Sequence, residues 1–338
     1  MAEGGQIDKD AMKCQPSVKI GSVYQNPWGD GKIPSFLDAR YFLWEKNESN
    51  VPSNEVLLDF SHKWQFSIII LKCTEILTAS IELVDFMKYC ILQIVCIVNN
   101  MVSYNIMQFL HKFSLISDHQ DELKKNLPVI KLSLDELNLP ETGIRITWLG
   151  HASVLAQFDN FNILADPIFS DRCSPLGFLG PKRYRPAPYN VSELPKIDAV
   201  CISHNHYDHL DVQTVKDLSD FHENLHWFVP IGLKQWMVDT GCANVVELDW
   251  WNGHVLKKTL DDEKSASMRF VFTPTKHWCN RGLLDRNKVL WGSWTVLGPR
   301  YRYYFAGDTG YCDAFKQIGE RFGPIDVAAI PIGAYEPR

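Results

Sequence analysis

Residues 203–209 read Ser-His-Asn-His-Tyr-Asp-His. They set His204, His206, Asp208 and His209 within six positions of a chain that has 11 histidines in 338 residues, a clustering hard to reach by chance. Imidazole and carboxylate groups are the usual ligands of zinc and similar borderline metals. His204 and His206 alternate, so in an extended segment both rings point to one side. Asp208 and His209 follow after a turn and can face a second, neighbouring point. The spacing suggests two adjacent metal sites. A surface loop of satisfied histidines is the bland alternative for any one of these residues, and weakens when all four occur in this order.

The flanking residues say how such a cluster would be held. Residues 197–202 (Ile-Asp-Ala-Val-Cys-Ile) form a short apolar, β-branched run that predicts a buried strand. Leu210, Val212, Val215, Leu218 and Phe221 recur at roughly helical spacing. The cluster therefore occupies a loop at the C-terminal end of a strand, where α/β proteins favour ligand sites. Two more strand-like runs end on metal-competent side chains: residues 269–274 lead to His277, and residues 302–307 lead to Asp308. Alone, His277 reads as a core or surface histidine and Asp308 as a turn former. Behind the cluster both read as ligands, and the two oxygens of Asp308 could bridge two cations. Asp166 closes the apolar run 161–165. It could hydrogen-bond a ligand imidazole and fix its tautomer, or simply turn the chain before Pro167. His151 also follows a strand and could line the site, though a structural role is the leaning expectation.

Composition narrows the class. Hydrophobic residues make up 46% and aromatics 12%, enough for a sizeable core. A net charge of −6 argues against a nucleic-acid partner. The nine cysteines are scattered, odd in number and without a CxxC pair, which fits reduced thiols at a cytosolic face. The N-terminus is polar and lacks the apolar core of a signal peptide. Three domains are expected: an irregular arm over residues 1–55, an atypical apolar insert over 56–120, and a globular domain over 121–338. From Ser53 to Leu127 there is neither glycine nor proline, and Tyr89 to Leu110 carries no charge, long enough to span a bilayer. Scattered Asn and Gln weaken that spanning reading. A buried helical pair, or sequence foreign to the domain such as translated intron, are the alternatives.

The order HxHxDH, lone histidine, strand-end aspartate resembles the metallo-β-lactamase superfamily. Within it, Trp148-Leu149-Gly150-His151-Ala152, Ala165-Asp166-Pro167-Ile168-Phe169, Gly180-Pro181-Lys182-Arg183, Glu247-Leu248-Asp249-Trp250-Trp251, Leu290-Trp291-Gly292-Ser293-Trp294 and Phe305-Ala306-Gly307-Asp308-Thr309-Gly310-Tyr311 are similar to the N-acylphosphatidylethanolamine-hydrolysing phospholipase D family. The resemblance is strong over about 121–338, loose over about 20–55, and absent between. It implies an αββα four-layer sandwich, its second half incomplete here. It implies two Zn2+ ions, one on His204, His206 and His277, the other on Asp208 and His209, with Asp308 on both. The family carries a further ligand histidine on a stretch beyond Arg338, so the second site is expected to lack one ligand. The implied reaction is hydrolysis of a membrane N-acylphosphatidylethanolamine to N-acylethanolamine and phosphatidic acid. Asp208 is the nearest candidate to protonate the leaving group.

A lipid substrate implies contact with a membrane surface, on the cytosolic face of Golgi or endosomal membranes by resemblance, with a homodimer as one further expectation. Trp227, Trp236, Trp250 and Trp251 are candidates for that contact, since tryptophan favours the interface. Lys182, Arg183 and Arg185 could meet lipid phosphate. Two rivals stay open. One keeps the fold and zincs but takes a lactone or an RNA phosphodiester, against which the matched segments and the acidic balance speak. The other is a catalytically impaired variant that only binds a membrane or a partner.

Overall fold

Two mixed β-sheets packed face to face carry the site. The structure, a computed structural model, describes residues 14–28, 124–133, 135–138, 140, 142–174, 182–260, 264–282 and 284–332. The chain divides into two units, Met1–Trp44 with Val129–Arg338, and Glu45–Pro128. The sheets belong to the first. The apolar insert expected over 56–120 lies outside the described residues, and so does the expected arm except for residues 14–28.

A small antiparallel pair comes first, β1 (Val18–Ile20) with β2 (Val23–Gln25). The six-stranded sheet runs in sequence order: β3 (Arg145–Gly150), β4 (Ser153–Phe158), β5 (Phe161–Ala165), β6 (Ala199–Cys201), β7 (His226–Pro230) and β8 (Asn244–Leu248). Its first three strands are antiparallel neighbours, and β5 to β8 pair in parallel. The second sheet holds β9 (Gly253–Thr259), β10 (Ser265–Thr273), β11 (Ser293–Leu297), β12 (Arg302–Phe305) and β13 (Val327–Ala329), antiparallel except for β12 with β13. Helices α1 (Val212–Phe221), α2 (Lys234–Asp239) and α3 (Ala314–Phe322) complete the elements that matter here.

Local chemistry explains several of these boundaries. The β4–β5 hairpin turns on Asp159 and Asn160, both left-handed at φ 48° and 67°. A two-residue hairpin turn asks for this, and Asp and Asn tolerate it. The Asp159 carboxylate then accepts from Arg300 Nε at 2.6 Å and from the backbone N–H groups of Arg300 and Tyr301 at 3.0 and 3.1 Å. That ties the first sheet's hairpin to the turn between β11 and β12. At the start of α1, Asp211 caps the helix by accepting from the Thr214 N–H at 3.0 Å.

The core lies between the sheets. Phe228 of β7 stacks on Phe270 of β10 with ring centres 4.0 Å apart, and Phe158 of β4 meets Tyr303 of β12 edge-on. Trp294 of β11 donates its indole N–H to the Ile202 carbonyl at 2.9 Å. Successive strand residues point to opposite faces, so Trp227 and Tyr304 point outward. Both are buried, and Tyr304 meets Phe315 of α3. Both faces of the strands are thus covered, which gives the layered αββα arrangement.

This covering corrects the expected lipid contacts. Trp227, Trp250 and Trp251 are 1%, 4% and 8% exposed, so none is available to a membrane. The Trp250 indole donates to the Trp291 carbonyl, and the Trp251 indole donates to the Gln15 carbonyl and stacks on Phe322. Trp236 is half-buried, with the Arg281 guanidinium 4.9 Å from its ring centre. Arg183 is likewise turned inward, donating to the Ile168 and Leu149 carbonyls. Among the described residues, no helix is long and apolar enough to cross a membrane.

Candidate metal centre

Strand ends from both sheets converge on one place. β6 runs into the His204–His209 loop, β5 into Asp166, β10 into His277 and β12 into Asp308. The loop after β6 is pinned at its root, where Gly292 N–H donates to the Ser203 carbonyl at 3.0 Å. It then turns, with the N–H groups of His209 and Leu210 both donating to the His206 carbonyl. Arg281 clamps it from outside. Its guanidinium donates to the Leu210 carbonyl at 2.7 Å and lies over Tyr207 and Trp236, 4.2 and 4.9 Å from the ring centres. The His277 and Asp308 loops are tied to each other, since Gly310 N–H donates to the Lys276 carbonyl and Lys276 N–H to Thr309 Oγ1.

Three donor groups lie among the described residues. Asp166, His204 and His209 form a group that overlaps the other two, and those two share no residue. His204, His206 and His277 form one, with Nε2 of His204 2.8 Å and Nε2 of His277 3.3 Å from Nδ1 of His206. Nitrogens bound tetrahedrally to zinc at 2.0–2.1 Å lie roughly 3.3 Å apart, so these spacings fit a metal. Asp208 and His209 belong to the other, Nε2 of His209 lying 3.8 Å from Oδ2 of Asp208. Asp308 stands between them, its Oδ2 3.4 Å from His209 Nε2 and 3.8 Å from His277 Nε2.

Electrostatics suit the same use at four of the donors, His204, His206, Asp208 and Asp308. Burial, reinforced by the neighbouring rings, holds His204 well below its ordinary pKa, and burial against the opposing charge of Asp208 lowers His206 to about 4, so both stay neutral and able to ligate near pH 7. Burial works the other way on Asp208, yet the hydrogen bond with His151 and the charge of His209 hold it well below the carboxylate range. Asp308 is lowered too, against its burial, by His209 and His277. A carboxylate so firmly ionised suits a ligand. Nε2 of His209 is buried with no hydrogen-bond partner, the kind of orphaned atom a metal would satisfy.

Asp166 supports this arrangement from below. Fully buried, it accepts from Ser203 N–H at 2.7 Å, from the Ser203 hydroxyl, and from Nδ1 of His209 at 2.7 Å. The last bond leaves Nε2 of His209 facing the site. Burial pushes the Asp166 carboxyl up against these bonds, while Asp166 and Asp308 outweigh burial at His209 and raise it.

Gly307 sets the aim of Asp308. It sits at φ 58°, and a Cβ added there would come 2.6 Å from Ser203 Cβ. Gly307→Ala is therefore expected to cost about 2–5 kcal/mol through a left-handed alanine and overpacking. Thermal denaturation of the variant checks this. An unchanged midpoint would mean the backbone relaxes freely.

The sequence matches a β-lactamase superfamily domain model over residues 161–338, just over half of the chain. The chain belongs to the β-lactamase superfamily. Among curated members, an N-acyl-phosphatidylethanolamine-hydrolysing phospholipase D of Caenorhabditis elegans is 44% identical over 64% of this chain and 61% of its own length. A mitochondrial counterpart in Saccharomyces cerevisiae is 39% identical over 63% and 46%. A metallo hydrolase structure from the archaeon Ignicoccus hospitalis matches at TM-score 0.40 and 21% identity, covering 57% and 72%. The chain spans about half to three fifths of these curated relatives' length. The structure adds one residue to the second donor group. His151, for which a structural role is expected from sequence, stands in the second donor group, its Nε2 2.9 Å from Asp208 Oδ2.

Proposed function

We propose that this chain is a zinc-dependent phosphodiesterase of the phospholipase D type. It hydrolyses N-acylphosphatidylethanolamine to N-acylethanolamine and phosphatidic acid, using two Zn2+ ions. The observation that carries the reading is Asp308 Oδ2, set between a donor of each group. The similarity to the two phospholipases supports the substrate.

His204, His206 and His277 would hold one ion and Asp208 and His209 the other, with Asp308 placed to serve both. When bound, such a pair supplies an acidified water and positive charge at the phosphoryl oxygens. Asp166 keeps the His209 ring oriented. Asp208 and Asp308 remain ionised and so lend negative charge that draws cations into the cleft. The water oxygen forms a new bond to phosphorus and stays on phosphatidic acid, while the P–O bond to the N-acylethanolamine oxygen breaks and that oxygen takes up one of the water's protons.

A lipid surface is met by aromatics other than those expected from sequence. Trp148 is 58% exposed and its indole donates to the His151 carbonyl, and Tyr311, 83% exposed, follows Asp308 by three residues. Such rings suit a peripheral seat on a membrane. The test is hydrolysis of N-acylphosphatidylethanolamine in liposomes in H2 18O, by protein stripped with chelator and by the same protein after zinc is restored. Zinc-dependent release of N-acylethanolamine with 18O in phosphatidic acid is expected. No release after zinc is restored would overturn the reading.

A further inference from the structure

His151 opens the loop after β3 at φ 49°, a conformation that costs a non-glycine residue roughly 1–2 kcal/mol. Neighbours hold it there. The Trp148 indole donates to its carbonyl at 2.8 Å, and Arg183 donates to the Leu149 carbonyl, two residues earlier, at 3.3 Å. The strained turn delivers Nε2 of His151 to 2.9 Å from Asp208 Oδ2, across 57 residues of sequence. The His151 ring also stands edge-on to His209, ring centres 5.4 Å apart.

A hydrogen bond from His151 to Asp208 accounts for one of these contacts. It leaves His209 Nε2 buried without a hydrogen bond, 3.4 Å from Asp308 Oδ2 and 3.8 Å from the same Asp208 oxygen. One donor atom from each of His151, Asp208 and His209 lies within 4.8 Å of the others. Separations of 2.9 and 3.8 Å bracket the roughly 3.3 Å edge of a tetrahedral zinc site. A single ion would satisfy all three donors at once.

We infer that His151 is itself a metal ligand, giving through Nε2 a fourth protein donor, beside Asp208, His209 and the shared Asp308, to the second ion. The inference rests on the two-ion reading above. It also explains why a half-exposed histidine is kept in a strained backbone at the edge of the cleft.

The test uses the full 338-residue protein, stripped with chelator and titrated with Co2+, alongside His151→Gln and His151→Gly. Calorimetry counts equivalents and visible absorption reports their coordination. Glycine suits the positive φ, so the second variant also relieves backbone strain. Two equivalents are expected in the parent protein. Both variants should keep the first at unchanged affinity, which also shows that they fold. The second should weaken by more than the roughly 10- to 100-fold that loss of an outer partner costs, with altered absorption bands. Added imidazole should restore it in His151→Gly. A second equivalent and bands unchanged in both variants would overturn the inference and leave the two-ion reading standing. A parent protein that takes up one equivalent would overturn both. Loss of both equivalents together in the variants would overturn the inference, because a ligand of one group should spare the other.

Discussion

Asp308→Ala is expected to lower the metal content of the whole site, not of one half of it, and to reduce turnover by roughly a thousandfold or more. The carboxylate oxygen of Asp308 faces His209 on one side and His277 on the other, at 3.4 and 3.8 Å. Each donor group therefore loses a negatively charged ligand at one stroke. The neutral imidazoles of His204 and His206 do not replace that charge. Asp308→Asn separates charge from shape: it keeps the hydrogen-bonding outline and should lose metal nearly as completely. Elemental analysis after dialysis against a mild chelator reads both variants. Retention of full metal content by Asp308→Ala would remove the bridging role.

Asp166→Ala is expected to be the most damaging single change to the fold among the site residues, at about 3–5 kcal/mol. It removes the acceptor for three donors inside the protein, the Ser203 N–H, the Ser203 hydroxyl and Nδ1 of His209. Water has little access, since Asp166 and Ser203 are fully buried and His209 is 1% exposed. Asp166→Asn should behave differently. Its amide oxygen can still accept from Ser203 N–H, so most stability survives. Its amide N–H2 would face His209 Nδ1, invite the opposite tautomer, and place a proton on the nitrogen that faces the site. A nearly normal denaturation midpoint with weakened second-equivalent binding would carry that signature. Equal losses of stability and metal in both variants would reduce Asp166 to a plain structural anchor.

Much of the site was legible because its residues declare themselves locally. His204, His206, Asp208 and His209 share one loop, and His277 and Asp308 each stand just past a strand that its apolar pattern announces. Asp166 was legible only as one of two readings, because a turn before proline and a support for an imidazole look alike until the Ser203 and His209 contacts are seen. His151 was not legible as a neighbour of Asp208: that contact joins residues 57 apart and depends on how the loops after β3 and β6 close. The tryptophans misled for a different reason. Where a sheet is covered on both faces, alternation no longer marks a wet side, so Trp227, though it points away from Phe228, is as buried as its neighbour. Sequence also gave no sign that Arg281 would lie between Tyr207 and Trp236, since the three come from separate segments.

The stacked rings of Phe228 and Phe270, and the indole of Trp294 reaching the Ile202 carbonyl, join two sheets that each contribute candidate donors. That core is therefore also the ruler of the site. The spacing between His204 and His206 is set within one loop and would survive a slip of one sheet over the other. The spacings from His209 to Asp308 and from His206 to His277 cross the divide, and a slip of about 1 Å would spoil them. Mutations deep in the apolar interior, touching no polar group, should then show up first as a change in which metals the cleft accepts.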